Sequence, residues 1–179
     1  MKRILTIAVA SGVFATGVFA QTPPRKPGPE QMRLGWLAGT WNFQNEARPS
    51  PTGPRWVSPE FSGTETCQWF AGAFHMVCQV EATGPTGAVS GQSIFAYDPS
   101  EKAYTLYYIS SLGEASFLRG TVAGLLWTWN LDRKVEGRLT KTRITVTEQS
   151  PTSYALKTEV SIDGGAFALV LGGRGTKMK

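Results

Sequence analysis

Few side chains in this sequence are of types that do chemistry, and they are widely spaced. There is one histidine, His75, and there are two cysteines, Cys67 and Cys78. A zinc site draws on several His, Cys or carboxylate ligands. No such cluster surrounds His75, which sits beside a turn on the more polar side of its strand and reads as a surface residue. No Gly-x-Ser-x-Gly elbow and no phosphate loop occurs. The sequence therefore assigns no catalytic residue, no metal and no cofactor. Two carboxylates fall in step with apolar positions: Glu65 with Cys67 and Trp69, and Glu114 with Leu118 and Trp127. A buried carboxylate is costly unless paired, so both are expected at the mouth of whatever these strands enclose. Arg138 and Glu148 are in phase with Ile144 and Val146 at opposite ends of one long strand. Arg138 is the candidate cation for a ligand's acid group.

Aromatic content is the positive signal. Six tryptophans, five tyrosines and nine phenylalanines make up 11% of the chain. Trp127 and Trp129 share one face, as do Tyr104 and Tyr108. Two readings follow: an aromatic core that fills a small barrel, or a lumen with aromatic walls and a few polar anchors. For the second, the candidate lining is Trp69, Met76, Tyr108, Trp127, Trp129 and Arg138.

These residues lie on period-two segments. Thr40 to Glu46 alternates, with Trp41 and Phe43 on one side and Asn42 and Gln44 on the other. Further strands are expected at 61–70, 74–82, 91–97, 102–111, 114–121, 124–131, 138–148, 154–162 and 166–173. Asp98-Pro99 opens a turn because proline presets φ. Gly164-Gly165 tolerates positive φ at both positions of a two-residue loop. Centring there pairs Ile162 with Phe167, Val160 with Leu169 and Thr158 with Leu171 on the buried face. Ten strands, short turns and no βαβ unit predict an all-β fold. Successive hairpins favour an antiparallel up-and-down β-barrel over a sandwich, since closure removes exposed edges. Leu34 to Ala38 forms a short N-terminal helical turn that plugs one end.

Folding the second hairpin about Gly72-Ala73 sets Cys67 opposite Cys78. A disulfide needs a closely spaced pair, and non-hydrogen-bonded pairs in an antiparallel ladder are the closer ones. A four-residue loop, Ala71 to Phe74, gives that parity. The bridge is expected as a structural staple. The same register puts Trp69, Phe74, Met76 and Val80 on the cysteine side, which is expected to face inward.

The start of the chain sets the compartment. Lys2 and Arg3 precede an apolar run, Ile4 to Ala20, of 17 residues, and Val18-Phe19-Ala20 supplies small residues before Gln21. Residues 1–20 read as a signal peptide cleaved after Ala20, giving a periplasmic or secreted protein. Residues 21–33, with four prolines, read as an extended linker, and residues 34–179 as a single barrel domain. Arg48 to Pro59 reads as a long irregular loop. The formal charge of +5 falls to +3 when Lys2 and Arg3 leave. An exported, mildly basic chain implies no nucleic-acid partner, and no later run is long enough to span a membrane. Nothing in the sequence gives the oligomeric state.

Leu37-Ala38-Gly39-Thr40-Trp41, the hairpin glycine Gly72, Gly91, Tyr97-Asp98 and Tyr104 resemble a bacterial family of exported proteins known as domain of unknown function 1579. The resemblance spans most of residues 34–175. Ala73 departs from it, standing where a larger or basic residue follows the hairpin glycine. Gly39-Thr40-Trp41 is also similar to the Gly-x-Trp opening of lipocalins and fatty-acid-binding proteins. That resemblance implies a calycin-like barrel and a lumen. Three functions are open: a binding barrel for a small lipophilic or aromatic ligand, a barrel enzyme using general acid–base groups such as Glu65, Glu114 or His75, and an envelope structural or interaction protein with a filled core.

Overall fold

A computed structural model describes residues 26–48, 60–85 and 87–179. Residues 1–20, read from sequence as a signal peptide, and most of the irregular segment Arg48 to Pro59 lie outside the described residues. The strands are β1 (Gly39–Ala47), β2 (Phe61–Trp69), β3 (His75–Gly84), β4 (Gly87–Asp98), β5 (Ala103–Ser110), β6 (Ala115–Ala123), β7 (Leu126–Val135), β8 (Arg138–Ser150), β9 (Ser153–Ile162) and β10 (Ala168–Lys177). Each pairs antiparallel with its neighbours in sequence, and β10 pairs with β1, so the ten strands close a barrel. Among the described residues no helix is long and apolar enough to cross a membrane.

The proline-rich segment is not extended throughout. Pro29–Met32 forms α1, and Arg33–Leu37 continues as a 3-10 turn. Proline at the first helical position loses no hydrogen bond, because that N–H has no intrahelical partner. The Gly28 N–H donates to the Gln31 side chain at 2.9 Å. This turn closes one end of the barrel. Leu34 and Leu37 are buried there, the Trp41 indole N–H donates to the Leu37 carbonyl at 2.7 Å, and the Tyr104 hydroxyl donates to the Glu30 carbonyl at 3.0 Å. The Arg33 guanidinium donates to Glu148 and to the Gly124 carbonyl and lies over the Trp127 ring.

The second hairpin has the expected geometry. Phe70 N–H bonds the His75 carbonyl across Ala71–Phe74, Cys67 faces Cys78, and the two form a disulfide with a Cα–Cα distance of 4.0 Å. His75 is exposed.

Two local readings are corrected. Gly124 belongs to the β6–β7 turn, with φ +60, rather than opening the strand. The last hairpin does not close tightly about Gly164-Gly165. Val160 pairs with Ala168 and Glu159 with Leu169, then a bulge at Val170 restores the pairing of Thr158 with Leu171. Phe167 and Leu169 therefore lie exposed, while Val170 and Leu171 are both buried. Two interactions support this arrangement: Arg143 covers the Phe167 ring at 4.1 Å while paired with Glu159, and the bulged Val170 carbonyl accepts from the Arg48 N–H at 2.7 Å.

Candidate functional site

The interior divides along the barrel axis. Next to the N-terminal plug it is solid. Trp36 lies 5.6 Å from Trp41, 5.9 Å from Trp127 and 6.1 Å from Tyr154, centroid to centroid. Trp127 stacks on Trp129, and Phe95 meets Trp129 edge-on. Leu34, Met76, Cys78, Tyr104 and Leu118 complete this core. Strand glycines make room for the rings. Gly120 faces Trp129 and Gly175 faces Tyr154 across the ladder, and a Cβ on either glycine would collide with the facing ring.

The other half is hollow. A cavity of about 500 Å³ opens away from the plug. Leu106, Leu131, Ile144, Leu156 and Val160 form much of its wall, with Phe43 and Phe61 on one side. Small and polar side chains complete it: Asn45, Ala82, Ser93, Ser110, Ser116, Thr142 and Thr158. Charged groups on the wall are Glu65, Glu114 and Arg133. This composition, an apolar chamber with a few polar groups, is that of a small-molecule site.

Glu65 is the unusual group. It sits mid-strand on β2, flanked by Trp41 on β1 and Val80 on β3. Its carboxylate lies within 4.8 Å of both cysteine sulfurs. The sulfurs are consumed by their bridge, so this trio offers one carboxylate and no thiolate to a metal. Among the described residues no hydrogen bond or salt bridge reaches Glu65. Burial pushes its carboxyl up to about 7, because the apolar surroundings penalise the charged form. The residue keeps some exposed surface, and the cavity provides it. Burial also raises the Tyr108 and Tyr154 hydroxyls, with the Glu65 charge adding to both. The three groups thus share one electrostatic environment. Glu65 is not at the mouth, contrary to the expectation from sequence. Glu114 is exposed at the start of the β5–β6 side of the rim, where its hydrogen-bond partner is the Ser116 hydroxyl at 3.4 Å.

The residues singled out from sequence separate into three places. Tyr108 lines the cavity, and Gly91 gives its ring space, since a Cβ there would stand 3.0 Å from the Tyr108 hydroxyl. Trp69, Met76, Trp127 and Trp129 belong to the packed half. Arg138 is exposed at the barrel edge and pairs with Asp163 at 2.8 Å. Glu148, at the opposite end of β8, takes hydrogen bonds from Arg33 and from the Trp127 indole, the latter at 2.6 Å. Sequence reasoning missed Arg133 and Asn45 in the cavity wall. Both carried the signal: Arg133 is in phase with Trp127 and Trp129, and Asn45 with Trp41 and Phe43. It missed Arg33 because that residue falls in the segment read as linker.

Known structures of similar fold include that of Rv2717c from M. tuberculosis, with a TM-score of 0.58 and 10% identity, covering 85% of this chain and 99% of that one. The S-type phycobiliprotein lyase CPES from Guillardia theta matches with a TM-score of 0.53 and 11% identity, covering 84% of this chain and 93% of that one. At these identities the likeness is one of fold. No curated protein matches the chain. The model of a family described as protein of unknown function (DUF1579) matches residues 26–171, and the chain therefore belongs to the DUF1579 family.

Proposed function

We propose that this protein is a binding barrel whose lumen takes a small lipophilic or aromatic molecule. One observation carries the reading: half of the interior is a chamber of about 500 Å³, open at one end and walled mainly by apolar side chains. A barrel serving only as a packed scaffold gains nothing from that void, because unfilled core volume lowers stability. The reading includes export. It is supported by the Cys67–Cys78 bridge, which persists in oxidising compartments, and by the basic and then apolar start of the chain.

A second reading, acid–base catalysis in the same chamber, is favoured by Glu65. A carboxyl held near neutrality can both take and give a proton at physiological pH. Tyr108 and Tyr154 are the neighbouring groups able to donate to a substrate oxygen. Binding remains the primary reading, because among the described residues no nucleophile is hydrogen-bonded to Glu65.

Protein purified from its own host tests both. Native mass spectrometry is expected to reveal a bound small molecule, and the N-terminus is expected at Gln21. A neutral lipophilic fluorophore, N-phenyl-1-naphthylamine, should brighten on binding the purified protein. Tyr108→Ala should weaken that binding by about tenfold, which is roughly 1.4 kcal/mol. An extrinsic probe is needed because none of the described tryptophans lines the cavity. A protein that carries no small molecule and leaves the probe dark sinks the binding reading. Chemical conversion of the co-purified molecule, lost in Glu65→Gln, would move the assignment to the enzyme.

A further inference from the structure

Resting on the binding reading above, we propose that the lumen is selective for a lipophilic amine, with the ligand's ammonium group seated on Glu65 and its apolar body directed toward the open end. The argument begins with the position of the carboxyl. Glu65 is deep on the cavity wall, between Trp41 and Val80 on the adjacent strands, and no described side chain or backbone group donates to it. A carboxylate has only acceptor sites, so what it lacks is a donor. A ligand ammonium supplies both donors and charge, and such charge-assisted hydrogen bonds are the strong class.

The surrounding groups decide between a cationic and an anionic ligand. Facing Glu65 are the Tyr108 hydroxyl from β5 and the Tyr154 hydroxyl from β9, both held neutral by burial. From β3 comes only the bridged Cys78, and Cys67 lies on Glu65's own strand. Toward the rim stand Glu114, beside β6, and Arg133 on β7. An acid headgroup inserted to the depth of Glu65 would meet a second carboxyl. It could avoid this only by staying at Arg133, near the mouth. An ammonium meets Glu65 at the end of the chamber and passes Glu114 on the way in. Burial raises the proton affinity of this carboxyl, and an ammonium beside it would favour the charged form.

The test is displacement of N-phenyl-1-naphthylamine by decylamine, decanol and decanoate, which share a chain length and differ in headgroup. At about pH 8, above the range in which Glu65 is protonated, decylamine should bind about tenfold more tightly than decanol, and decanoate weakest. In Glu65→Gln the amine and the alcohol should bind alike, while the neutral probe still binds and reports an intact barrel. Lowering the pH to about 5 should reduce the amine preference of the unmodified protein in the same direction. If the probe binds but the three headgroups are not distinguished, or the preference survives Glu65→Gln, the amine assignment falls and the binding reading stands. Decanoate binding tightest, with loss in Arg133→Gln, would replace it with an anionic ligand held at the rim. Failure of the probe and all three competitors overturns the assignment together with the binding reading.

Discussion

At the end closed by Arg33–Leu37, Trp36, Trp41, Trp127 and Tyr154 fill the barrel with ring contacts of 4.9–6.1 Å among themselves and their neighbours. At the other end the same ten strands carry Ala82, Ser93, Ser110, Ser116 and Thr142 at inward positions, and a cavity remains. Alternation is equally regular in both halves, so periodicity does not separate them. Side-chain volume does. Indoles and a plugging turn fill the space below, while small inward residues leave a chamber above. Buried apolar area stabilises in proportion to its extent, so the closed half carries most of the stability and the open half is left free to bind. The half-hollow barrel thus keeps its polar anomaly, Glu65, where the packing stops.

The largest expected effect breaks the closed half. Trp127 is 1% exposed, stacks on Trp129 and donates to Glu148. Trp127→Ala should cost about 3–5 kcal/mol in urea unfolding. Tyr108→Ala, on the cavity wall, should cost less than half as much. Equal losses would mean that the chamber contributes to folding as much as the plug, and the division would fail.

Next in size is the pH dependence set by Glu65. Its carboxyl titrates near 7 in the folded barrel and near the ordinary value of 4.5 when unfolded. Below the unfolded value both states hold the proton, and the group contributes nothing. Between the two values the unfolded chain has lost its proton while the folded chain keeps it, so stability falls as pH rises. Above about 7 the loss is complete. It amounts to no more than about 3.4 kcal/mol, and water entering the cavity reduces it. Glu65→Gln should therefore be more stable than the unmodified protein at about pH 8 and similar to it at about pH 4. Stability curves for the two proteins that run parallel across this range would show that Glu65 is not held in an apolar site.

What the sequence discloses and withholds follows the same division. Strand number, order and inward faces come from period-two alternation and turn residues, and Cys67–Cys78 from its symmetry about Gly72-Ala73. Alternation gives a residue's face but not its height in the barrel. Alternation turns Trp69, Met76, Trp127 and Trp129 inward, and only the placement of the plug decides that they pack rather than line the cavity. The cost of an unpaired buried carboxylate points Glu65 to the mouth. The fold accepts that cost at a position where a chamber, invisible in one strand's pattern, gives the group access to a partner. The bulge at Val170 likewise depends on long-range partners, Arg48 and the Arg143–Phe167 contact, which no local pattern encodes.

The smallest expected effect tests the boundary between the two halves. The disulfide sits there, in the packed core but beside Glu65. It closes a short loop, the cysteines having a sequence separation of 11, so the chain-entropy model gives a stabilisation of about 2–3 kcal/mol. The hairpin ladder already holds Cys67 against Cys78, and the bridge therefore restrains the unfolded chain more than it shapes the folded one. Both cysteines are buried and neither lines the cavity. The double variant Cys67→Ala/Cys78→Ala should accordingly lose stability in urea. That loss should lie at the upper part of the range, because two small buried side chains also shrink. Its affinity for N-phenyl-1-naphthylamine, measured where the variant is fully folded, should be unchanged. Affinity that falls along with stability would mean that the bridge holds the cavity wall in place, and the packed half and the binding half would then have to be treated as one mechanical unit.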